Sequence, residues 1–127
     1  MLFYARISHR KKLLSDLKSK TAPFWPPQAA FLGLGSDGHT AGLFSNDINS
    51  YLNENPFVFT KKKNESFQRI SISMQVLIHM PVLVFLVLGA SKREILNSLF
   101  SNKNDDQTIP IMYLIHQAMG EIHFICD

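Results

Sequence analysis

One cysteine, Cys126, stands in 127 residues, so no internal disulfide can staple this chain. Its stability must come from packing, as is usual in a reducing compartment, and a cytoplasmic setting is expected. Cys126 reads as a small buried hydrophobe in a terminal strand rather than a nucleophile. No apolar run is long enough to cross a membrane. The longest, Met80 to Leu88, covers about half of the roughly 20 residues a spanning helix needs. Extending it back through Val76 to Ile78 takes in His79, and Pro81 interrupts it. Charge of either sign is also scarce: thirteen basic residues against ten acidic ones leave a formal net charge of +3. So mild an excess reads as solvated lysines and gives no ground for a nucleic-acid partner. The one basic cluster, Lys61-Lys62-Lys63, lacks interleaved aromatic residues and reads as an exposed loop. His79, His116 and His123 show no metal-ligand spacing with a thiol or carboxylate, so neither metal nor cofactor is expected. A signal-peptide arrangement is not expected either: the apolar stretch Met1 to Ile7 is too short, and its cations follow it.

What is present is a chain 46% hydrophobic, enough for one domain with a modest core. Ile7 to Lys20 has helical spacing, with Leu14 and Leu17 inward, until Pro23, Pro26 and Pro27 break it. Trp25 in that break reads as a packing anchor. Gln28 to Leu34 is a buried strand. Asp47 to Asn55 is polar loop, and Phe57 to Phe59 an edge strand. Gln68 to Ser73 alternates as a half-buried strand does, and Gln75 to His79 is a short helix or turn. Val82 to Leu88, apolar throughout, is a strand expected to be buried on both faces. Ser91 is the candidate cap of a helix Lys92 to Phe100. Ser101 to Thr108 is a polar loop containing Lys103. A second helix, Ile109 to Gln117, carries Pro110 in its first turn and is closed by Gly120. Ile122 to Cys126 is the last strand. Alternating strands and helices of these lengths indicate an α/β fold with a mostly parallel sheet flanked by helices, in one domain over 1–127.

The densest chemistry is in Gly35-Ser36-Asp37-Gly38-His39-Thr40-Ala41-Gly42-Leu43-Phe44. It follows a strand ending in Gly33-Leu34, where open α/β sheets bind ligands. Gly35 and Gly38 permit positive φ or close backbone approach to a substrate. Asp37 and His39 are near enough to share one site, as a general base and its carboxylate orienter would be. A helix starting near Thr40 would aim N–H groups at an anion. In that case Asp37 could equally cap it, and both roles remain open at this point.

These residues resemble the signature of the 6-phosphogluconolactonases, hydrolases of a phosphorylated sugar lactone in the pentose phosphate pathway. That family reads Gly-x-Gly-x-Asp-Gly-His-Thr-Ala-Ser-Leu-Phe, and Gly42 stands here where the family has serine. Arg69-Ile70-Ser71-Ile72-Ser73 is similar to its Arg-Ile-Thr-x-Thr strand. Leu86 to Lys92 is similar to its strand followed by Gly-x-x-Lys, and Glu121 to Asp127 to its closing strand and aspartate. The blocks agree in order and spacing from Ala29 to Asp127. The family's chains are roughly twice this length. Its Ser-Gly-Gly-Ser-Thr-Pro phosphate loop and Asp-Glu-Arg segment have no counterpart here. The chain therefore resembles an N-terminally truncated, C-terminal half of a Rossmann-like lactonase.

The resemblance implies hydrolysis of 6-phospho-D-glucono-1,5-lactone to 6-phospho-D-gluconate, with His39 as general base on water. It places Lys92 and Arg69 on the phosphate, and Gly35, Gly38 and Thr40 around the substrate. A neutral imidazole suits the task, since its ordinary pKa is near 6.5. A lactone is already an activated ester and requires no metal. Two alternatives stand beside this: a non-catalytic remnant that keeps the His loop, and a glucosamine-6-phosphate deaminase-like isomerase. That last family follows its histidine with Ile-Ala-Phe-Asn-Glu-Pro, which Thr40-Ala41-Gly42-Leu43-Phe44 does not match. A half-length sheet would also have an exposed edge, inviting either a complementary N-terminal half or self-association.

Overall fold

The computed structural model describes residues 7–45, 48–101 and 105–127. The segment Met1 to Arg6, Asp47 and Lys103 lie outside these. In chain order the elements are α1 (Ile7–Thr21), β1 (Ala29–Gly33), β2 (Phe57–Thr60), β3 (Arg69–Ile72), α2 (Met74–Ile78), β4 (Val82–Val87), α3 (Arg93–Phe100), α4 (Pro110–Gln117) and β5 (Glu121–Cys126). β1, β4 and β5 form a parallel sheet in the order β1-β4-β5, and β2 pairs antiparallel with β3 in a separate ribbon. In this register Phe31 lies opposite Val84 and Val84 opposite His123, while Leu86 stands between Gly33 and Ile125.

Side chains alternate across a strand, so Leu83, Phe85 and Val87 of β4 all point into one core. There they are fully buried with Met74, Leu77, Ile111 and Leu114. Phe85 stacks on Phe124 at 5.2 Å, and Phe100 meets Phe124 edge-on at 5.5 Å. Burying a side chain such as Phe85 stabilises the fold by about 1.5–3 kcal/mol. Ser73 caps α2 by accepting the Val76 N–H at 3.3 Å, and Pro110 opens α4, where a missing N–H costs nothing. Leu14 and Leu17 are half-buried on α1, as their spacing predicts. Trp25 packs toward Phe57, with ring centroids 6.2 Å apart.

Several expectations are corrected. β4 is buried on one face only: Leu86 is 43% exposed, and across the sheet Phe31 is 72% and Ile125 51% exposed. An all-apolar strand normally has cover on both sides. Among the described residues these three side chains lack such cover, and α1 lies against β2. β1 is half-exposed for the same reason, and Cys126 is an exposed free thiol rather than a buried one. No helix begins near Thr40. Leu34 and Thr40 form a bridge, Thr40 and Leu43 another, and Ala41 has φ 49°, outside the helical region. Ser91 caps nothing. It lies in a 3₁₀ turn, Ala90–Lys92, ahead of α3, and the Lys92 N–H is taken by the Gly89 carbonyl at 3.0 Å. The segment read as loop before Asn55 contains a 3₁₀ turn, Ile48–Tyr51, which buries Ile48 and Tyr51.

Candidate active site

Three parallel strands deliver three chain segments to one end of the sheet. β1 leads into the loop Leu34–Phe44, β4 into the turn Gly89–Lys92, and β5 into Asp127. The loop after β1 is held by its own backbone. The Gly35 N–H donates to the His39 carbonyl at 2.8 Å, and the Gly38 N–H to the Gly35 carbonyl at 2.9 Å. Gly38 has φ 82°, and its carbonyl accepts the Ile111 N–H at 3.1 Å, which fastens the loop to the start of α4. From the ribbon, the Ser71 hydroxyl accepts the Gly42 N–H at 3.0 Å.

Within this frame Asp37 and His39 are bonded to each other. His39 Nδ1 donates to Asp37 Oδ1 at 2.5 Å, and the His39 backbone N–H donates to the same oxygen at 3.2 Å. The carboxylate caps no helix here, and its bonds go to His39. Partial burial works to raise the Asp37 carboxyl, but the bonds from the His39 ring and backbone outweigh it and hold it below its ordinary value of 3.8. Facing an anionic acceptor, Nδ1 is the donor, so in the neutral ring the lone pair lies at Nε2. Gly35 is required beside them. A Cβ there would fall 2.1 Å from His39 Nδ1 and 2.6 Å from Asp37 Oδ1.

His39 and Lys92 line the same open hollow of about 260 Å³, together with Gly33, Leu34, Gly35 and Ala41. No hydrogen bond or ion pair engages the Lys92 ammonium among the described residues. This arrangement can take an anion at Lys92 and offer a base at His39. The other expected site residues are placed differently. Thr40 is fully buried, and its hydroxyl donates to the Gly33 carbonyl at 2.9 Å, so it closes the loop. Gly38 faces Ile109 and Ile111. Arg69 is ion-paired with Glu65, whose carboxyl this hydrogen bond keeps below its ordinary value. Its guanidinium lies over the rings of Phe67, at 4.3 Å, and Phe44, at 5.2 Å. Phe44 in turn packs on the His39 ring at 5.0 Å. Arg69 therefore reaches the base through an aromatic ring and does not line the hollow.

Two participants carried no assigned role from sequence. Phe44, at the end of the motif, supports the imidazole, and its fixed place five residues after His39 was the available signal. Asp127 accepts the Gly89 N–H with both carboxylate oxygens, at 3.0 and 3.1 Å. Only the spatial pairing of β4 with β5 reveals this contact. His116 pairs with Asp105 and His123 with Glu121, and no cluster among the described residues could hold a metal ion.

A parallel sheet with a glycine-framed Asp–His loop and a Gly-x-x-Lys turn at its carboxyl end has the layout of an open α/β ligand-binding domain. The family model described as glucosamine-6-phosphate isomerases/6-phosphogluconolactonase matches residues 8–124, and the chain belongs to that family. It is 35% identical over 95 residues to a 6-phosphogluconolactonase of Helicobacter pylori strain J99, covering 73% of this chain and 41% of the relative. With the 6-phosphogluconolactonase of a Synechocystis strain it is 32% identical over 96 residues, covering 76% and 38%. Among solved structures, the devB protein superposes with a TM-score of 0.79 at 25% identity, covering 92% of this chain and 51% of that one. The 6-phosphogluconolactonase from Trypanosoma brucei shares the fold, with a TM-score of 0.74 at 18% identity over 97% and 53% of the two chains. The chain thus spans about two fifths of these curated relatives and about half of these solved structures.

Proposed function

We propose that this chain carries the base-bearing half of a 6-phosphogluconolactonase site, acting on 6-phospho-D-glucono-1,5-lactone. The observation that carries the reading is that His39, bonded to Asp37, lines one hollow with Lys92. In this reading Nε2 of His39 takes a proton from water as the water oxygen bonds to the lactone carbonyl carbon. The imidazolium so formed is stabilised by Asp37. As the tetrahedral intermediate collapses, the bond from that carbon to the ring oxygen breaks, and the imidazolium returns its proton to that oxygen. The product is the open-chain acid. Lys92 holds the phosphate as a point charge. Arg69, offset by Glu65, adds positive charge beside Phe44, while Gly35, Gly38 and Thr40 shape the loop around the substrate.

The same reading gives the relatives' remaining length a place on this chain. Phe31, Leu86 and Ile125 form an uncovered apolar face, and β1 has one unpaired edge among the described residues. We assign that face to the other half of the family fold, which would complete the pocket. The exposed thiol of Cys126 fits a reducing, cytoplasmic setting. The test is lactone hydrolysis by pH-stat, corrected for spontaneous opening, with the chain joined to a complete first half. His39→Ala or His39→Asn should lower turnover by about 10²-fold or more while leaving substrate affinity little changed. Turnover near that of the unmodified protein in both variants would remove His39 from the mechanism, whereas an unmodified joined protein with no turnover would favour a non-catalytic remnant.

A further inference from the structure

Asp127 closes a chain of bonds that ends at Lys92. Both of its carboxylate oxygens accept the Gly89 N–H, at 3.0 and 3.1 Å. The Gly89 carbonyl accepts the Lys92 N–H at 3.0 Å. The Gly89 residue is therefore gripped on both sides, at φ 95° and ψ 145°, a conformation that a side chain resists. A Cβ at this position would meet nothing within 4 Å, so backbone angle and not space demands glycine. The turn rises from β4, but its orientation is set by a residue following β5. Strand pairing brings the two within reach, since Val87 lies opposite Cys126.

We infer that Asp127 is a positioning residue for the anion site: its carboxylate fixes the Gly89 turn and thereby aims the Lys92 ammonium into the hollow beside His39. The inference rests on the lactonase reading for its ligand, but not for its geometry. A carboxylate in an anion-binding region would ordinarily repel a phosphate. Its bonds to the Gly89 N–H offer a reason for an acid in this position, because charge-assisted bonds hold a turn more firmly than neutral ones.

The experiment uses the chain joined to a complete first half, with the variants Asp127→Ala, Asp127→Asn, Gly89→Ala, Lys92→Ala and Asp127→Ala/Lys92→Ala. Affinity for 6-phosphogluconate is measured by calorimetry, amide shifts and exchange at Gly89 and Lys92 by NMR, and thermal stability by circular dichroism. Asp127→Ala should weaken binding by about tenfold, with a smaller loss in Asp127→Asn, which keeps an acceptor oxygen. Gly89→Ala should act in the same direction, and the double variant should bind no worse than Lys92→Ala alone, as coupled residues do. Fully additive losses, or an Asp127→Ala variant that binds normally, would overturn the inference. If the unmodified joined protein binds no 6-phosphogluconate, the lactonase reading fails separately. The amides of Gly89 and Lys92 then decide: movement of both in Asp127→Ala upholds the positioning role, and unchanged signals refute it.

Discussion

Gly35 and His39 share one volume: the space a side chain at Gly35 would fill is occupied by the His39 imidazole, 2.1 Å from where a Cβ would stand. The intruded atom belongs to a ring bonded to Asp37, so it cannot move without breaking that bond. Gly35→Ala should therefore behave as a catalytic lesion, although it adds one methyl group far smaller than the hollow. In a protein joined to its complementary half, turnover should fall by about 10²-fold, comparable with loss of the base itself. The His39 ring signals in an NMR spectrum should shift as the Asp37 bond is lost. An alanine variant with normal turnover and an unshifted ring would mean that the dyad is not held as described.

The anion grip is separable from the base. The Lys92 ammonium has no partner among the described residues, so its removal leaves no buried charge uncompensated. Lys92→Ala should weaken 6-phosphogluconate binding by about 1.5–3 kcal/mol, the range for a charge-assisted contact. Unphosphorylated gluconate should be nearly indifferent. Calorimetric titration of both ligands checks this, and equal losses for the two would move Lys92 from the phosphate to the sugar or the fold.

Much of this site was legible because it is local. Asp37, Gly38 and His39 lie within three residues, and a strand ending in glycine before them fixes which end of the sheet they occupy. The strand and helix order was legible for the same reason, since apolar runs and prolines mark their own boundaries. What the residues did not disclose was tertiary. The helix expected after Thr40 is replaced by a turn whose Gly42 N–H bonds to Ser71, on another part of the chain. The Asp127–Gly89 contact depends on the register of β5. The pairing of Arg69 with Glu65 forms across non-helical backbone, where no sequence spacing announces it. The apolar run of β4 correctly marked a strand but overstated its burial, because sequence records what a face requires and not what covers it here.

Acid should dismantle the dyad at a defined point. Asp37 titrates below its ordinary 3.8 in the folded chain, owing to the His39 ring and backbone bonds that outweigh its partial burial. A depressed carboxyl contributes stability that is present above the unfolded value and lost as pH falls through the folded one. The dyad should therefore be intact from neutrality down to about pH 4 and fail only below that. A carbon-detected titration of the Asp37 carboxyl should show a midpoint under 3.8 that rises in His39→Ala. A midpoint that His39→Ala leaves in place would show that the imidazole does not hold this carboxylate.

The uncovered sheet face bears on activity as much as on solubility. Phe31, Leu86 and Ile125 come from three adjacent strands and are 72%, 43% and 51% exposed. Contiguous apolar surface of this kind is rare on monomers and marks a place where something packs. The 127-residue polypeptide on its own should therefore self-associate, as light scattering would report, and Leu86→Lys should reduce that association. It should also hydrolyse the lactone slowly or not at all, because a base without a fully formed pocket lacks the substrate orientation on which its rate depends. Adding a separately expressed first half should raise turnover and disperse the aggregates together, and Leu86→Lys should prevent the gain in turnover. A monodisperse 127-residue chain with ordinary turnover by itself would show that the hollow at His39 and Lys92 is already a complete site.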